Sequence, residues 1–552
     1  MRPLLAILLL CLVGCATYVD RGPRVRVAVE EGDYETAATV AQNFAADEPK
    51  DALVWNLDAA ATLRAQGKLK ESAKVLEQVE ASFRAEEERP GFSFSGSTLA
   101  AFSNGYAEAY RPRPADRIYA STYQALNRLE LGDLNGARVS MARLRFVQQA
   151  FGSGQLYVKP KTAEGKYDVA KASQDERTKE GLGMIEENLA SLTAEGAYDD
   201  AFSHWLQGMF FLRLGQDPSD REKARKELLA ATQLNGSNDA FRRDLKDAES
   251  LAGEGQGMIV YVIAETGMCP EWYQQRVDIP LFVVSSRVPY VSVALPAIRP
   301  SGLNYNLKLK LDTKDVAVPL ASRPDALIAK HFEAALPGIM AQAFTSAAVK
   351  ATASYLINKS SEDAANRPNS SSGAVLWAVA TKVGTAIYTV GTTKADLRNW
   401  SSLPARFSVV RLDAKPGQKL TVVGHPEASL TLPAGSSSEV GAGAVGAGSG
   451  VEAGPGKRRY HREEDEEEEE EDTGDKSKSD APAVKRRGMY SPSIHTHTHT
   501  HTHTHTHTHT HTHKHTEGRV RKGVGWHCGS SRTRNRCERK ASVSGHRVER
   551  RR

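Results

Sequence analysis

The sequence predicts a multidomain protein with an all-α helical-repeat domain at residues 18–253, an α+β domain at residues 257–435 and a disordered tail at residues 436–552. Three observations lead to this prediction. A glycine-centred helix–turn–helix pattern recurs in the first half of the chain. From residue 257 the apolar residues change to short, strand-like runs. After residue 436 the sequence is low in complexity and cannot form a packed core.

The composition before the tail is that of an ordinary globular protein. The 552 residues are 40% hydrophobic and 25% charged, and the formal net charge is +5. Residues 436–552 hold 22 Lys and Arg against 17 Asp and Glu, so residues 1–435 are neutral overall. A neutral body lacks the basic surface that nucleic-acid binding requires. Cys269 is the one cysteine between the leader and the tail, which excludes a disulfide within the body.

Residues 1–15 have the form of a secretory signal peptide, because a short apolar run at residues 4–13 follows Arg2. The run is too short to span a bilayer stably. It ends in Leu-Val-Gly-Cys, which resembles the lipobox of bacterial lipoproteins. This resemblance implies a lipid on the thiol of Cys15, and Ala16 after it implies sorting to the outer membrane. The alternative is an ordinary signal peptide with an incidental cysteine.

The helical-repeat prediction depends on four glycines that each separate two helix-forming segments: Gly32, Gly67, Gly132 and Gly215. After Gly132, apolar residues recur at helical spacing on one face, namely Leu134, Ala137, Met141 and Leu144. Glycine suits such turns because it adopts a positive φ without a Cβ clash. After Gly215, an insertion at residues 217–220 delays the second helix.

The spacing of these helix pairs resembles the tetratricopeptide repeat, in which units of about 34 residues stack on one another. Gly32 and Gly67 are 35 residues apart, but the later gaps of 65 and 83 residues require insertions or degenerate helices. The alternative is an all-helical bundle without a true repeat. Loop-rich links are expected at residues 85–115 and 152–174.

The second half of the body predicts an α+β domain in which two helices pack on a sheet. Residues 258–264 form a continuous apolar run that is typical of a buried strand. Further strands are predicted at residues 276–280, 290–295, 304–311, 407–412 and 420–423. Residues 324–358 predict a helix that breaks at Pro337-Gly338. Residues 374–390 predict a core helix, with a membrane-contacting helix or a true membrane span as the alternatives.

Two further motifs resemble those of a group of uncharacterised bacterial lipoproteins with tetratricopeptide-like repeats. Residues 123–127 are Tyr-Gln-Ala-Leu-Asn and precede Leu-Gly-Asp at residues 131–133. Residues 400–404 are Trp-Ser-Ser-Leu-Pro, near the end of the α+β domain. The resemblance covers about residues 1–433. It implies a lipoprotein with a repeat domain and assigns no catalytic residue.

The residues that usually carry chemistry form no recognisable site in the sequence. Residues 441–446 match the letters of a dinucleotide-binding fingerprint, but a serine run precedes them and no helix pattern follows. The body histidines lack metal-ligand spacing: His204, His331 and His425. His204 is expected to be a packed helix residue, and Cys269 a satisfied or half-exposed thiol. The sequence therefore predicts no catalysis, no cofactor and no metal site.

The tail has a composition of its own. Residues 463–472 are all acidic, and 11 of the 17 histidines lie in the His-Thr tract of residues 493–516. An acidic run of this length stays solvated, and a dense histidine tract can bind divalent transition metals. A CACACA microsatellite encodes His-Thr repeats, which favours readthrough or a gene-model error as the origin of the tail. If the tail is translated, we expect disorder and adventitious metal binding.

Together these expectations describe a lipid-anchored protein of the bacterial envelope that faces the periplasm from the outer membrane. Its helical repeats would offer a concave groove to a protein partner. Aromatic residues of the first helices would line the groove or, as we expect, the core: Trp55, Tyr119, Tyr123 and Trp205. One alternative is an activator of a peptidoglycan enzyme. The other is a structural subunit of a surface or secretion assembly.

Overall fold

A helix-rich N-terminal part is followed by a part with strands in small sheets, which confirms the predicted order of structure. The computed structural model describes residues 18–93, 108–151, 168–193, 197–250, 258–280, 290–302, 307–365, 395–423, 425–432 and 493–499. Three predictions fall outside these ranges: the lipid on Cys15, the helix at residues 374–390, and the disorder of the tail apart from residues 493–499.

Consecutive helix pairs dominate the N-terminal part. The pairs are α1 (Tyr18–Glu30) with α2 (Tyr34–Asp47), α3 (Ala52–Ala65) with α4 (Leu69–Glu87), α5 (Pro114–Glu130) with α6 (Leu134–Phe151), and α9 (Ala201–Leu214) with α10 (Asp220–Leu234). The other described helices are α7 (Val169–Ala172), α8 (Glu176–Thr193), α11 (Asp239–Glu249) and α12 (Pro324–Ala365). The two helices of each pair pack against each other. Each of the four glycines therefore lies between the two helices that the sequence predicts around it.

Three of the four turns have the same backbone geometry. Gly32, Gly67 and Gly132 have φ angles of 73°, 73° and 74°. In each turn the glycine N–H donates to the carbonyl three residues before it, and the next N–H donates to the carbonyl five residues before itself. These hydrogen bonds satisfy carbonyl groups that otherwise have no partner at a helix end. The positive φ explains why glycine occupies this position in each turn.

The turn at Gly215 differs, because the inserted residues change how the chain leaves the helix. Gly215 has φ −61° and ψ 137°, so the positive φ expected of a turn glycine is not found here. Crowding excludes a side chain instead, since a Cβ at this position would lie 2.3 Å from the carbonyl oxygen of Phe211. The Asp220 carboxylate closes the turn by accepting from the N–H groups of Gln216 and Asp217, at 2.9 and 3.1 Å.

The apolar faces predicted for the second helices are buried. Ala137, Met141 and Leu144 of α6 have no exposed surface. Close approach also matters in the last pair, where a Cβ on Gly208 of α9 would lie 2.5 Å from Cγ of Leu228 in α10. Each pair is therefore held by tight packing of its own faces.

Short strands form three sheets in the second part of the body. The described strands are β1 (Met258–Thr266), β2 (Glu271–Pro280), β3 (Tyr290–Arg299), β4 (Leu309–Leu311), β5 (Lys314–Val316), β6 (Leu320–Ser322), β7 (Arg406–Ala414), β8 (Lys419–Val422), β9 (His425–Thr431) and β10 (Ser493–His499). The sheet orders are β10-β1-β7-β6, β2-β3 and β5-β4-β8-β9, with antiparallel neighbours throughout. Every strand predicted from the sequence overlaps one of these, and β10 lies in the His-Thr tract of the tail.

Helix α12 is continuous over 42 residues, so the predicted break at Pro337-Gly338 is wrong. Proline removes one backbone donor and crowds the preceding turn. Packing outweighs this cost, because Phe332 before the proline and Ile339 and Phe344 after it are buried in one core with β2, β3 and α8. Neither α12 nor any other helix of the described ranges has the apolar length that crossing a membrane requires.

Strand β1 lies between two hydrophobic cores. Tyr261 and Ile263 pack in the core that contains the helix pairs, whereas Val260 and Val262 pack in a smaller core with β4 and β8. Both faces of β1 are therefore buried, which explains its continuous apolar sequence. The first core extends to Phe407 of β7. The helix pairs and strands β1, β6 and β7 thus share this first core.

Candidate functional site

The two motifs recognised in the sequence meet in the structure. Trp400 and Tyr123 lie edge to face, with 5.6 Å between their ring centroids. Near them the Tyr18 hydroxyl of α1 donates to the carbonyl of Asn399 at 2.7 Å. Residues 395–404, which we call the docking segment, therefore contact α1 and α5.

Asp58 of α3 is the main polar contact of the docking segment. Its Oδ1 accepts from the backbone N–H of Ser402 at 2.8 Å and from the Ser402 hydroxyl at 2.7 Å. The Ser401 hydroxyl donates to the same carboxylate at 3.1 Å. Asp58 is fully buried. Burial raises its pKa to about 6, because these hydrogen bonds replace only part of the lost hydration.

We expect Asp58→Asn to change the pH dependence of stability while the docking segment stays in place. The folded pKa of Asp58 is about 6, above the ordinary 3.8, so the fold favours the protonated carboxyl. The stabilising effect of Asp58 is therefore complete below pH 3.8 and is lost as the pH rises through 6. Relative to the asparagine variant, the wild type is expected to lose about 3 kcal/mol of unfolding free energy between acidic and neutral pH. Urea unfolding followed by tryptophan fluorescence measures this difference.

The control is Asp58→Ala, which also removes the acceptor for Ser401 and Ser402. It is expected to cost about 1–3 kcal/mol more than Asp58→Asn at neutral pH. A difference between wild type and Asp58→Asn that does not vary with pH would contradict the prediction.

A second buried cluster joins α3, α5 and β1. The Arg64 guanidinium donates to Asn127 Oδ1 at 2.7 Å and is ion-paired with Glu130. It also lies 3.6 Å from Glu265 of β1, and the Tyr123 hydroxyl donates to the same carboxylate. Removing one member would leave a buried charge unpaired, so the cluster holds the three elements in one arrangement. Tyr123 and Asn127, which belong to the sequence motif, are therefore structural connections.

Arg398 attaches the docking segment to the start of α3. Its guanidinium is fully buried and donates to Asp51 Oδ1 at 2.6 Å. It also donates to both carboxylate oxygens of Asp396, at 2.8 and 2.5 Å, and to the carbonyl of Glu108 at 2.7 Å. Asp51 and Asp396 are buried as well. Two buried carboxylates thus share one arginine.

The aromatic residues of the first helices are core residues. At most 2% of the surface is exposed in each of Trp55, Tyr119, Tyr123 and Trp205. Phe407, just after the docking segment, stacks on Phe202 of α9 with 4.3 Å between centroids. We call the sides of α3, α5 and α9 that meet the strand part the inner face. The chain covers this face itself, with β1 and residues 395–407.

His204 lies between two carboxylates in the last helix pair. Its Nδ1 is 2.7 Å from Glu227 and its Nε2 is 2.8 Å from Asp199. Burial alone would lower the pKa of the imidazole, but the two carboxylates outweigh it and raise the pKa to about 10. At neutral pH His204 is therefore an imidazolium that donates to both carboxylates.

Cys269 and His331 line one small cavity, with a volume of about 20 Å³. This is room for one water molecule. The Cys269 thiol donates to the carbonyl of Pro404 at 3.3 Å, so it is a satisfied thiol. Burial raises the pKa of Cys269 well above its ordinary value and lowers the pKa of His331 to about 4. Both groups are therefore neutral at pH 7, whereas a nucleophilic cysteine requires a thiolate.

A larger cavity of about 240 Å³, which we call the outer cavity, lies among α4, α5 and α6. Its charged and amide-bearing residues are Glu77, Glu80, Arg84, Gln124, Arg128 and Arg143. Gln124 is buried, and within the described ranges neither polar atom of its amide has a hydrogen-bond partner. No motif in the sequence points to this residue. Its one signal is a polar side chain on a helix that is otherwise almost entirely buried.

The described residues thus present a closed inner face and an open outer cavity. Among these same residues, no three His, Cys, Asp or Glu side chains are grouped in a way that would hold a metal ion. The predicted turn glycines lie outside both features, and Cys15 lies outside the described ranges. No protein-family model, no curated protein and no solved structure matches this chain.

Proposed function

We propose that this chain is a lipid-anchored protein of the bacterial envelope that holds a protein partner through its helical part. The lipobox that ends at Cys15 supports an outer-membrane anchor facing the periplasm. The consecutive helix pairs, which resemble tetratricopeptide repeats, support a scaffold. Because the docking segment and β1 cover the inner face, we assign the partner to the outer surface of α4 and α6.

An exposed apolar patch on α6 carries this proposal. Val139 is 60% exposed and Phe146 is 48% exposed. They are seven residues apart and share one helix face with Arg143, whose guanidinium lies 5.3 Å from the centre of the Phe146 ring. Aromatic and arginine side chains are enriched at the centres of protein interfaces. Val139 and Arg143 also line the outer cavity.

Photo-crosslinking from position 139 tests the partner surface. The full-length chain with benzoylphenylalanine in place of Val139 is expected to form one discrete higher-mass adduct in intact cells. The matched control is Met184 of α8, which is 53% exposed, and the same probe there is expected to form no such adduct. Adducts from both positions, or from neither, would contradict a partner surface on α6.

The same experiment in a Cys15→Ser background tests the anchor. Without the thiol the chain is expected to move to the soluble fraction, and the yield of the adduct is expected to fall because partner and chain no longer share a membrane face. A membrane-bound Cys15→Ser chain with an unchanged adduct would refute the anchor. A cell-wall synthase in the adduct would favour the activator function, and a second copy of the chain would favour an assembly subunit.

A further inference from the structure

The outer cavity contains a buried amide that the fold leaves unpaired. Gln124 is 4% exposed, and both its Nε2 and its Oε1 lack a hydrogen-bond partner among the residues that the structure describes. Gln148 of α6, which is buried to a similar degree, donates from its Nε2 to Asp199 at 2.8 Å. Buried donors and acceptors are normally paired, because an unpaired one loses its hydration without compensation. The Gln124 amide therefore lacks a partner, and although its polar atoms are closed to solvent, the side chain lines a cavity of about 240 Å³.

Three arginines line the outer cavity, and one of them has no carboxylate partner among the described residues. Arg128 pairs with Glu77 at 3.1 Å, and Arg143 pairs with Glu80 at 3.1 Å. Arg84 is exposed and lines the same cavity. Within the described ranges its side chain forms no hydrogen bond or ion pair. An anion that enters the cavity would therefore meet a guanidinium that no carboxylate of the described ranges pairs with, although Glu77 and Glu80 line the same cavity.

An unpaired amide and an unpaired guanidinium in one cavity restrict the chemistry of a ligand. A primary amide presents a donor and an acceptor side by side, which complements the N–H and C=O groups of one extended peptide residue. A guanidinium forms its strongest hydrogen bonds with a carboxylate or phosphate. The volume is below the range of about 300–1,000 Å³ for drug-sized ligands, so the cavity suits a ligand fragment of one or two peptide residues.

We propose that the outer cavity binds an acidic peptide segment, with a carboxylate on Arg84 and, once the Gln124 side chain turns into the cavity, one peptide residue on its amide. This inference rests on the proposed function, since it supplies the part of the partner that the helical part recognises. Val139, at the edge of the cavity, provides an apolar contact for the adjoining residues of the same segment.

Titration of the full-length protein with three dipeptides tests the inference. The probes are acetyl-Ala-Asp-amide, acetyl-Ala-Asn-amide and acetyl-Ala-Lys-amide, and ligand-observed NMR measures the dissociation constant of each. We expect the aspartate peptide to bind at least tenfold more tightly than the other two. Gln124→Leu is expected to weaken its binding at least tenfold. The melting temperature of this variant is expected to stay equal or rise, because the substitution removes an unpaired buried amide.

Two arginine variants separate the charge contribution. Arg84→Gln is expected to reduce binding of the aspartate peptide to the level of the asparagine peptide. Arg89→Gln, at an exposed arginine outside the cavity, is the matched control and is expected to leave binding unchanged. Equal affinities for the three peptides, or unchanged binding by Gln124→Leu, would overturn the inference. The expected occupant of the outer cavity would then be ordered water.

The crosslink from position 139 distinguishes this inference from the proposed function. If the aspartate peptide fails to bind but the adduct forms, the peptide site is refuted and the scaffold stands. If the peptide binds with the expected dependence on Gln124 and Arg84 but no adduct forms, the site is supported and the scaffold on α6 is refuted.

Discussion

Replacing Arg398 by methionine is expected to destabilise the fold by about 3–5 kcal/mol. Methionine keeps a long side chain but removes the charge that Asp51 and Asp396 both contact. The two buried carboxylates would then have to stay ionised without a cation or take up protons, and either outcome costs free energy. The docking segment would also lose its attachment to α3. Urea unfolding followed by tryptophan fluorescence measures the loss.

The matched control is Arg299→Met, which also breaks an arginine–carboxylate pair. Arg299 lies 2.9 Å from Glu271, but the two side chains are 42% and 35% exposed. Exposed pairs contribute about 0–1 kcal/mol, so we expect the control to remain within about 1 kcal/mol of the wild type. Equal losses for the two variants would show that burial of Arg398 does not matter, and the role given to the docking segment would be wrong.

His204→Gln is expected to cost about 2–4 kcal/mol at pH 7, since it leaves Glu227 and Asp199 without their imidazolium. The folded pKa of about 10 exceeds the ordinary 6.5, so the stabilisation by His204 is complete below about pH 6.5 and is lost as the pH rises through 10. Glutamine stays neutral throughout. The stability difference between wild type and variant is therefore expected to shrink between pH 7 and pH 10, by at most about 1.4 kcal/mol per pH unit.

The control for this pH profile is His331→Gln. The pKa of His331 is lowered by burial to about 4, so the residue is neutral from pH 7 to pH 10. Its variant is expected to differ from the wild type by a constant amount over that range, whatever the amount is. A constant difference for His204→Gln as well would contradict the imidazolium in the folded state.

The helix pairs were predictable because their determinants are local. Gly132 with apolar residues at helical spacing after it describes a turn and a buried face within about twenty residues of chain, and the structure has both. Local rules failed where packing or an insertion decided the outcome. Pro337 predicts a break, but burial on both sides of it keeps α12 continuous. Gly215 predicts a positive φ, but the inserted residues 217–220 lead to an extended exit.

The candidate site was only partly predictable. Residues 400–404 were recognised as a motif, but Asp58, which accepts from Ser401, is 343 residues away in the chain. A single sequence contains no signal for that pairing. Gln124 posed a different problem, because its lack of partners depends on which side chains of α4 and α6 reach it in three dimensions. The tetratricopeptide-like repeat stays a prediction.

The position of the docking segment in the chain has a consequence for biosynthesis. Contacts such as that between Asp58 and Ser402 close loops of more than 300 residues, which is slow and has a large entropic cost. The nascent N-terminal helices leave the ribosome long before residues 395–414 exist, so their inner face lacks the docking segment and β7 at that time. Folding of α3, α5 and α9 is therefore completed only when nearly the whole body has been synthesised. For a chain proposed to be exported, this delay would favour an incompletely folded polypeptide, which a translocation channel requires.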